Sequence, residues 1–329
     1  MKSDLEREVQ DRLDFLTKPP GSLGKLEELA LRYALIRGKV MPELNRKALF
    51  VFCADHGVAE EGVSAYPAEV TRSMVRNLVR GGAAVSVLCR HWNIDPVIVD
   101  MGVSGEPEPG AVDRKIAAGT RNFTREAAMT RDQAKQCLCT GRELALDGAA
   151  RYDVLAAGEM GIANTTAAAA LLSAFSGHEP ERTAGRGTGV DPEGLQRKID
   201  TIRCALELHR PDPADPVSVL AAVGGFEIGA IAGFILGAAE ARVPIVLDGF
   251  ISCSAALIAR AMDPRCMECV LFSHRSTERG HALMLDFLNA EPYVSLDMRL
   301  GEGTGAVIAI TLLEASVKLY REMATFADL

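Results

Sequence analysis

Positive charge is in short supply in this chain. Thirty-six Lys and Arg stand against 44 Asp and Glu, a formal net charge of −8, and no basic block offsets it locally. Nucleic-acid binders draw their sequence-independent affinity from such blocks, so no nucleic-acid partner is expected. No apolar run approaches the roughly 20 residues that cross a bilayer. The first 29 residues are charged throughout, unlike a signal peptide. The expectation is a soluble, cytoplasmic protein with no membrane partner. Its eight cysteines are then read as reduced thiols rather than a disulfide framework. Cys266-Met267-Glu268-Cys269 has the spacing of half a zinc site, but no second pair or His-x₃-His stands near it in the sequence. No metal or cofactor is called for. A Gly-x-Ser-x-Gly elbow, a Gly-Lys-Ser/Thr phosphate loop and a dinucleotide fingerprint are all missing, which argues against three common enzyme classes. There is no linker, repeat or low-complexity segment.

What is present is a 48% hydrophobic chain of 329 residues, enough for one large or two modest domains. Residues 2–37 have a helical pattern broken at Thr17-Lys18-Pro19-Pro20-Gly21-Ser22, where Ser22 is placed to cap the next helix. Short apolar runs follow at 48–54, 96–100, 154–157, 219–223, 244–247 and 269–272. Each ends in Gly, Asp, Glu, Ser or His. Such uninterrupted runs suit strands buried on both faces. Helical patterns lie between them, at 68–90, 131–146, 165–175, 193–209, 228–241, 254–261 and 278–288. The alternation predicts an α/β fold, a doubly wound parallel sheet with ligands at the carboxyl ends of its strands. A last helix over 306–324 has no strand after it and is expected to pack with the N-terminal helices.

Gly301-Glu302-Gly303-Thr304-Gly305 sets one carboxylate among glycines, where a ligand can approach the main chain closely. Glu302 is a candidate general base or, alternatively, a cap for the next helix. Gly158-Glu159-Met160-Gly161-Ile162-Ala163-Asn164-Thr165-Thr166 follows a strand and opens an Ala-rich helix, the arrangement of an anion site. A capped helix start with Thr as N-cap explains the same residues. Glu159 would repel a phosphate, so a ribose hydroxyl or a second ligand suits it better. Gly185-Arg186-Gly187-Thr188-Gly189, with Lys198 on the following helix, offers a second phosphate wall or a plain surface turn. Asp55-His56 at a strand end offers a metal half-site or a catalytic pair, but reads more readily as structural, as do Asp248-Gly249-Phe250 and Ser273-His274. Tyr66-Pro67 reads as a loop able to cover an aromatic ligand. On these residues alone the chain fits a sugar-phosphate or nucleotide transferase, a phosphatase or an isomerase.

Six motifs then occur in order and register: 16–24, 54–58, 158–166, 223–227, 247–250 and 291–303. Together they closely resemble the nicotinate-nucleotide:5,6-dimethylbenzimidazole phosphoribosyltransferases of cobalamin lower-ligand assembly, across nearly the whole chain. The resemblance implies a Rossmann-like sheet of about six strands, a large α/β catalytic domain over 46–305, a small helical domain from 1–45 and 306–329, and a homodimer. It implies transfer of the phosphoribosyl group of nicotinate mononucleotide to a benzimidazole-type base in one inverting displacement. Residue by residue, it implies Glu302 as catalytic base and Glu159 as supporting carboxylate. Gly161, Asn164, Thr165, Thr166, Gly187 and Lys198 would hold the nucleotide, Tyr66 and Met74 would face the acceptor base, and Leu300 and Gly301 would also bind substrate. The familiar pattern has Ser where this chain has Tyr66, and Gln where it has Met74. This leaves open a phenolic or purine acceptor, and a non-catalytic nucleotide-binding protein on the same scaffold is a rival of another class.

Overall fold

The computed structural model describes residues 3–329. The opening helices, α1 (Asp4–Phe15) and α2 (Lys25–Arg37), flank the Pro-Pro-Gly turn. Ser22 does not cap α2: the N-cap is Gly24, at φ 55°, and the Leu23 N–H is taken by the Glu27 carboxylate at 2.9 Å. That carboxylate also meets Lys18 Nζ at 2.9 Å in a buried pair.

The sheet begins with β1 (Lys47–Ala54). The pattern over 68–90 folds as two helices, α3 (Val70–Val79) and α4 (Ala84–Trp92). Gly81 interrupts it at φ 78°, a left-handed conformation that no continuous helix accommodates. The chain continues through β2 (Asp95–Gly102), β3 (Val112–Asp113), α5 (Arg131–Ala149), β4 (Val154–Met160), α6 (Asn164–Ser176), α7 (Pro180–Thr183) and α8 (Pro192–His209). Residues 219–223, expected as a strand, lie instead in α9 (Pro216–Val223). Asp215 caps that helix by accepting the Ser218 N–H at 3.2 Å, and Pro216 occupies its first turn. The run is apolar because the helix is buried, not because it is a strand. After α10 (Phe226–Glu240) come β5 (Ile245–Leu247), α11 (Phe250–Met262), β6 (Val270–Phe272), α12 (Arg279–Leu288) and α13 (Thr304–Glu322).

All six strands are parallel, in the order β3-β2-β1-β4-β5-β6. The sixth is the two-residue β3, which pairs Val99 with Val112 and is too short to register as an apolar run. The chain builds outward from β1 through β2 to β3, then crosses back and builds the other way from β4. The crevice beyond the ends of β1 and β4 is therefore the topological switch point.

Both sheet faces are covered. Ala48, Phe50, Phe52 and Ala54 of β1 enter the core shared with α5, α6, α10 and α11. The alternate residues Leu49, Val51 and Cys53 enter a second core with α2, α4 and α13. Helix α13 thus lies on the sheet through Val307, Ile310 and Leu313, while Tyr320 near its end joins Val9, Leu13, Ala30 and Ala34 of the N-terminal helices. No helix among the described residues is long and apolar enough to cross a membrane.

Candidate active site

A cleft of about 700 Å³ opens at the switch point. Its walls bring together Glu302, Glu159, Gly161, Asn164, Thr165, Gly187, Tyr66, Met74, Leu300 and Gly301, residues spread over most of the chain. Lys198 and Thr166 are not in the wall. Lys198 stands directly behind it, 1% exposed, donating to Thr165 Oγ1 at 2.7 Å and to the Gly185 carbonyl at 3.3 Å. Thr166 points into the protein, and its hydroxyl has no partner among the described residues.

The phosphate-like end is built from strand β4 and the start of α6. Neither threonine caps this helix; the N-cap is Ala163, held left-handed at φ 76°. Gly161 sits so close to β1 that an added Cβ would lie 2.5 Å from the Ala54 carbonyl oxygen. The Ile162 N–H is fixed by Thr71 Oγ1 at 3.1 Å. Behind Gly161 lies a wholly buried pair, His56 Nε2 and Glu227 Oε1, 2.7 Å apart. The expectation that Asp55-His56 holds the strand end structurally fits this arrangement. Gly185–Gly189 forms the facing wall and is tied to both neighbours. Thr188 Oγ1 accepts the Ala65 N–H at 3.2 Å, next to Tyr66, and Arg299 donates to the Gly187 carbonyl at 3.1 Å.

The other end is the Gly301–Gly305 loop. Gly301, Glu302 and Gly303 are all left-handed, at φ 84°, 63° and 92°. For Glu302 this conformation costs about 1–2 kcal/mol, a form of strain that collects at functional sites. Gly158 permits the close approach: a Cβ there would lie 2.5 Å from the Gly303 nitrogen. Glu302 is only 5% exposed, and its Oε2 has no hydrogen-bond partner among the described residues. Burial, with the nearby Asp248 charge, raises its pKa above the ordinary carboxylate value, while the Val85 N–H opposes the shift. Glu159 lies against Gly301 and accepts a hydrogen bond from Asn164 Nδ2. Burial pushes its pKa up to about 8, helped by Asp248, Glu227 and Glu302. Burial also lowers Lys198 to about 8, against the pull of Glu278.

Several wall residues were not singled out from the sequence as ligands: Val70, His274, Ser276, Glu278 and Arg299. His274 follows strand β6, so its strand-end position was the available signal. Arg299 stands inside the Met298–Gly303 motif. Glu278 carried none, yet it is 8% exposed with an unpartnered Oε2. Cys266 and Cys269 are elsewhere, buried before β6, and no metal-holding group of three or more His, Cys, Asp or Glu occurs among the described residues.

A buried carboxylate with one oxygen unpartnered among the described residues, across a cleft from a helix start backed by lysine, can take a proton at one end of a ligand while holding an anion at the other. Known proteins resemble the chain over its whole length. The family model described as Phosphoribosyltransferase covers residues 1–329. The nicotinate-nucleotide--dimethylbenzimidazole phosphoribosyltransferase of Chloroflexus aggregans is 53% identical over 320 residues, 96% of this chain and 91% of that protein. The protein of the same name from Geobacter metallireducens is 50% identical over 330 residues, covering 98% and 93%. The crystal structure of CobT from Thermus thermophilus superposes with a TM-score of 0.94 at 47% identity, covering 99% of this chain and 98% of that one. With the fold and the full length in agreement, the chain belongs to the phosphoribosyltransferase family and is a glycosyl-transferring enzyme.

Proposed function

We propose that the cleft transfers the phosphoribosyl group of nicotinate mononucleotide to 5,6-dimethylbenzimidazole or a related base. The products are nicotinate and α-ribazole 5′-phosphate, for assembly of the cobalamin nucleotide loop in the cytoplasm. The observation that carries this reading is the cleft's polarity, with Glu302 Oε2 lacking a partner among the described residues at one end and the α6 start with Lys198 at the other.

The nicotinate of the donor is a pyridinium and leaves C1 of the ribose as a neutral ring nitrogen. The lone-pair nitrogen of the benzimidazole attacks C1 from the opposite face, forming the new C–N bond as the old one breaks. Configuration inverts from β to α in one step, with no covalent enzyme intermediate. As the bond forms, the second ring N–H becomes acidic, and Glu302 accepts that proton. A raised pKa matches the carboxylate to this task. The phosphate is held by Gly161, Asn164, Thr165, Gly187 and, from behind, Lys198. Thr166 lies behind them, its N–H on the Ala163 carbonyl at 2.9 Å. Glu159, its pKa pushed up by burial, carries less negative charge at neutral pH than an ordinary carboxylate, so it meets the ribose or base with less repulsion of the phosphate. Tyr66, Met74, Leu300 and Gly301 face the acceptor. In this reading residues 1–45 and 306–329 form a small helical domain, residues 46–305 the catalytic one, and the protein works as a homodimer.

Tyr66 and Met74 in the wall support a second reading of the acceptor alone, in which a phenolic or purine base is taken. Incubating the enzyme with nicotinate mononucleotide and a mixture of 5,6-dimethylbenzimidazole, adenine and a phenol, with products read by mass, tests both readings. α-Ribazole 5′-phosphate as the dominant product supports the first. An adenine or phenolic ribotide as the dominant product supports the second, and free ribose 5-phosphate with no ribotide overturns transfer.

A further inference from the structure

Outside the cleft wall, one buried group acts on the loop that carries Glu302, and we propose that Asp248 is a positioning residue for the transfer, fixing the backbone that aims Glu302 into the cleft. The inference rests on the reading of Glu302 as general base.

Asp248 follows strand β5 and is 1% exposed. Its main chain is itself anchored: its N–H reaches the Ala157 carbonyl at 3.3 Å, and Ser273 Oγ donates to its carbonyl at 2.9 Å. Both carboxylate oxygens are then spent on the catalytic loop. Oδ2 accepts the Gly303 N–H at 3.0 Å, while Oδ1 accepts the Gly305 N–H at 2.8 Å and the Ala306 N–H at 3.1 Å. The Gly303 N–H belongs to the peptide plane just after Glu302, so its orientation sets ψ of Glu302. Of the three consecutive left-handed residues, Glu302 alone carries a Cβ, and it would leave that conformation unless its surroundings over-determined it. Asp248 supplies the determination from one side. Gly158 supplies it from the other, since a Cβ there would lie 2.6 Å from the Glu302 carbonyl carbon. His274 completes the seat, its Nδ1 3.7 Å from Asp248 Oδ1 and packed against Gly305.

A purely structural cap would stabilise α13 and do no more. Positioning predicts something further: Asp248 matters to turnover only while Glu302 can act as a base. In Asp248→Asn the amide keeps one oxygen for Gly305 and Ala306 but turns an NH₂ toward the Gly303 N–H. Steady-state kinetics with nicotinate mononucleotide and 5,6-dimethylbenzimidazole on Asp248→Asn, Glu302→Gln and the double variant test this. We expect kcat of Asp248→Asn to fall about 100-fold. KM for nicotinate mononucleotide should stay within about twofold, because α6 and Lys198 hold that end separately. In the Glu302→Gln background the second substitution should cost nothing further. Equal losses in both backgrounds, or an unchanged kcat in Asp248→Asn, would overturn the proposal. Near-wild-type turnover of Glu302→Gln gives a different result: it removes the base assignment, and the inference falls with it. Should Asp248→Asn fail to fold, Gly158→Ala presses on the same peptide from the opposite side. It should show the same non-additive loss, and an additive loss there overturns the proposal equally.

Discussion

Glu302 and Glu159 share one cleft and one cause of perturbation, burial, yet they suit different tasks. Glu302 has an oxygen without a partner among the described residues, whereas Glu159 is engaged by Asn164. A base with a raised pKa is active only above it, so kcat/KM should fall as pH drops through a value higher than that of a free Glu. Glu302→Gln should abolish this acidic limb and lower kcat by about 10²–10⁴-fold, while nicotinate mononucleotide still binds. A pH–rate profile with that limb intact in the variant would count against the role. Glu159 makes a separate prediction about stability. Below about pH 4.5 both folded and unfolded forms are protonated. As pH rises toward about 8 the unfolded chain ionises first, so the stability contributed by this group is progressively lost. Glu159→Gln should therefore melt roughly 3 °C higher than the natural protein at pH 8 and at nearly the same temperature at pH 4. Differential scanning calorimetry at the two pH values decides it; an equal shift at both would refute the assignment.

At the scale of elements, helix starts and close helix contacts position the cleft. Lys198 of α8 reaches the α6 start through Thr165, and in the proposed reading the two helices make one anion wall. With burial lowering Lys198 to about 8, KM for nicotinate mononucleotide should climb as pH passes that value. Lys198→Ala should raise KM at pH 7 by about tenfold or more, in line with loss of one charged hydrogen bond, with a smaller change in kcat. A flat KM from pH 7 to 9 would argue against the lysine. Helices α5 and α10 pack backbone to backbone: a Cβ on Gly141 would strike the Ala230 carbonyl, and one on Gly233 the Leu138 carbonyl. Gly233→Ala should cost about 1–3 kcal/mol by overpacking, read as a lower urea midpoint with kcat of the folded fraction unchanged. The sequence was legible where periodicity was strong, as in the helices over 131–146 and 193–209, which the structure extends by only a few residues. It misled where burial removed the polar face: Val219-Leu220-Ala221-Ala222-Val223 reads as a strand because a fully buried helix shows no alternation. Its Asp215-Pro216 start was the available corrective.

For the whole molecule, the topology collects what the sequence scatters. The strand-end residues were legible as a group because parallel sheets place every carboxyl end on one side. The partners that finish the site were not. Nothing local in the sequence says that Glu278 comes to face Gly185, or that Asp248 binds a loop more than fifty residues later. The first contact joins the start of α12 to the segment after α7, and the second exists only once α13 lies back across the sheet. Tyr66 and Met74, the proposed acceptor wall, belong to a loop and helix early in the chain, while the Glu302 loop precedes the last helix. Tyr66→Ser combined with Met74→Gln should move acceptor preference toward 5,6-dimethylbenzimidazole in a competition assay, with turnover of the preferred base within about tenfold of the natural enzyme. An unchanged product ratio would remove these two residues from the acceptor contact.

Although the Gly185–Gly189 loop touches both walls, their main supports differ, and this has an evolutionary consequence. The Glu302 loop takes its shape from Asp248 and Gly158, whereas Tyr66 and Met74 sit on α3 and the loop before it. Mutation can therefore redraw the acceptor surface without disturbing the proton-taking backbone. A lineage built on this scaffold can exchange one incoming ring for another through a few substitutions, keeping its chemistry throughout.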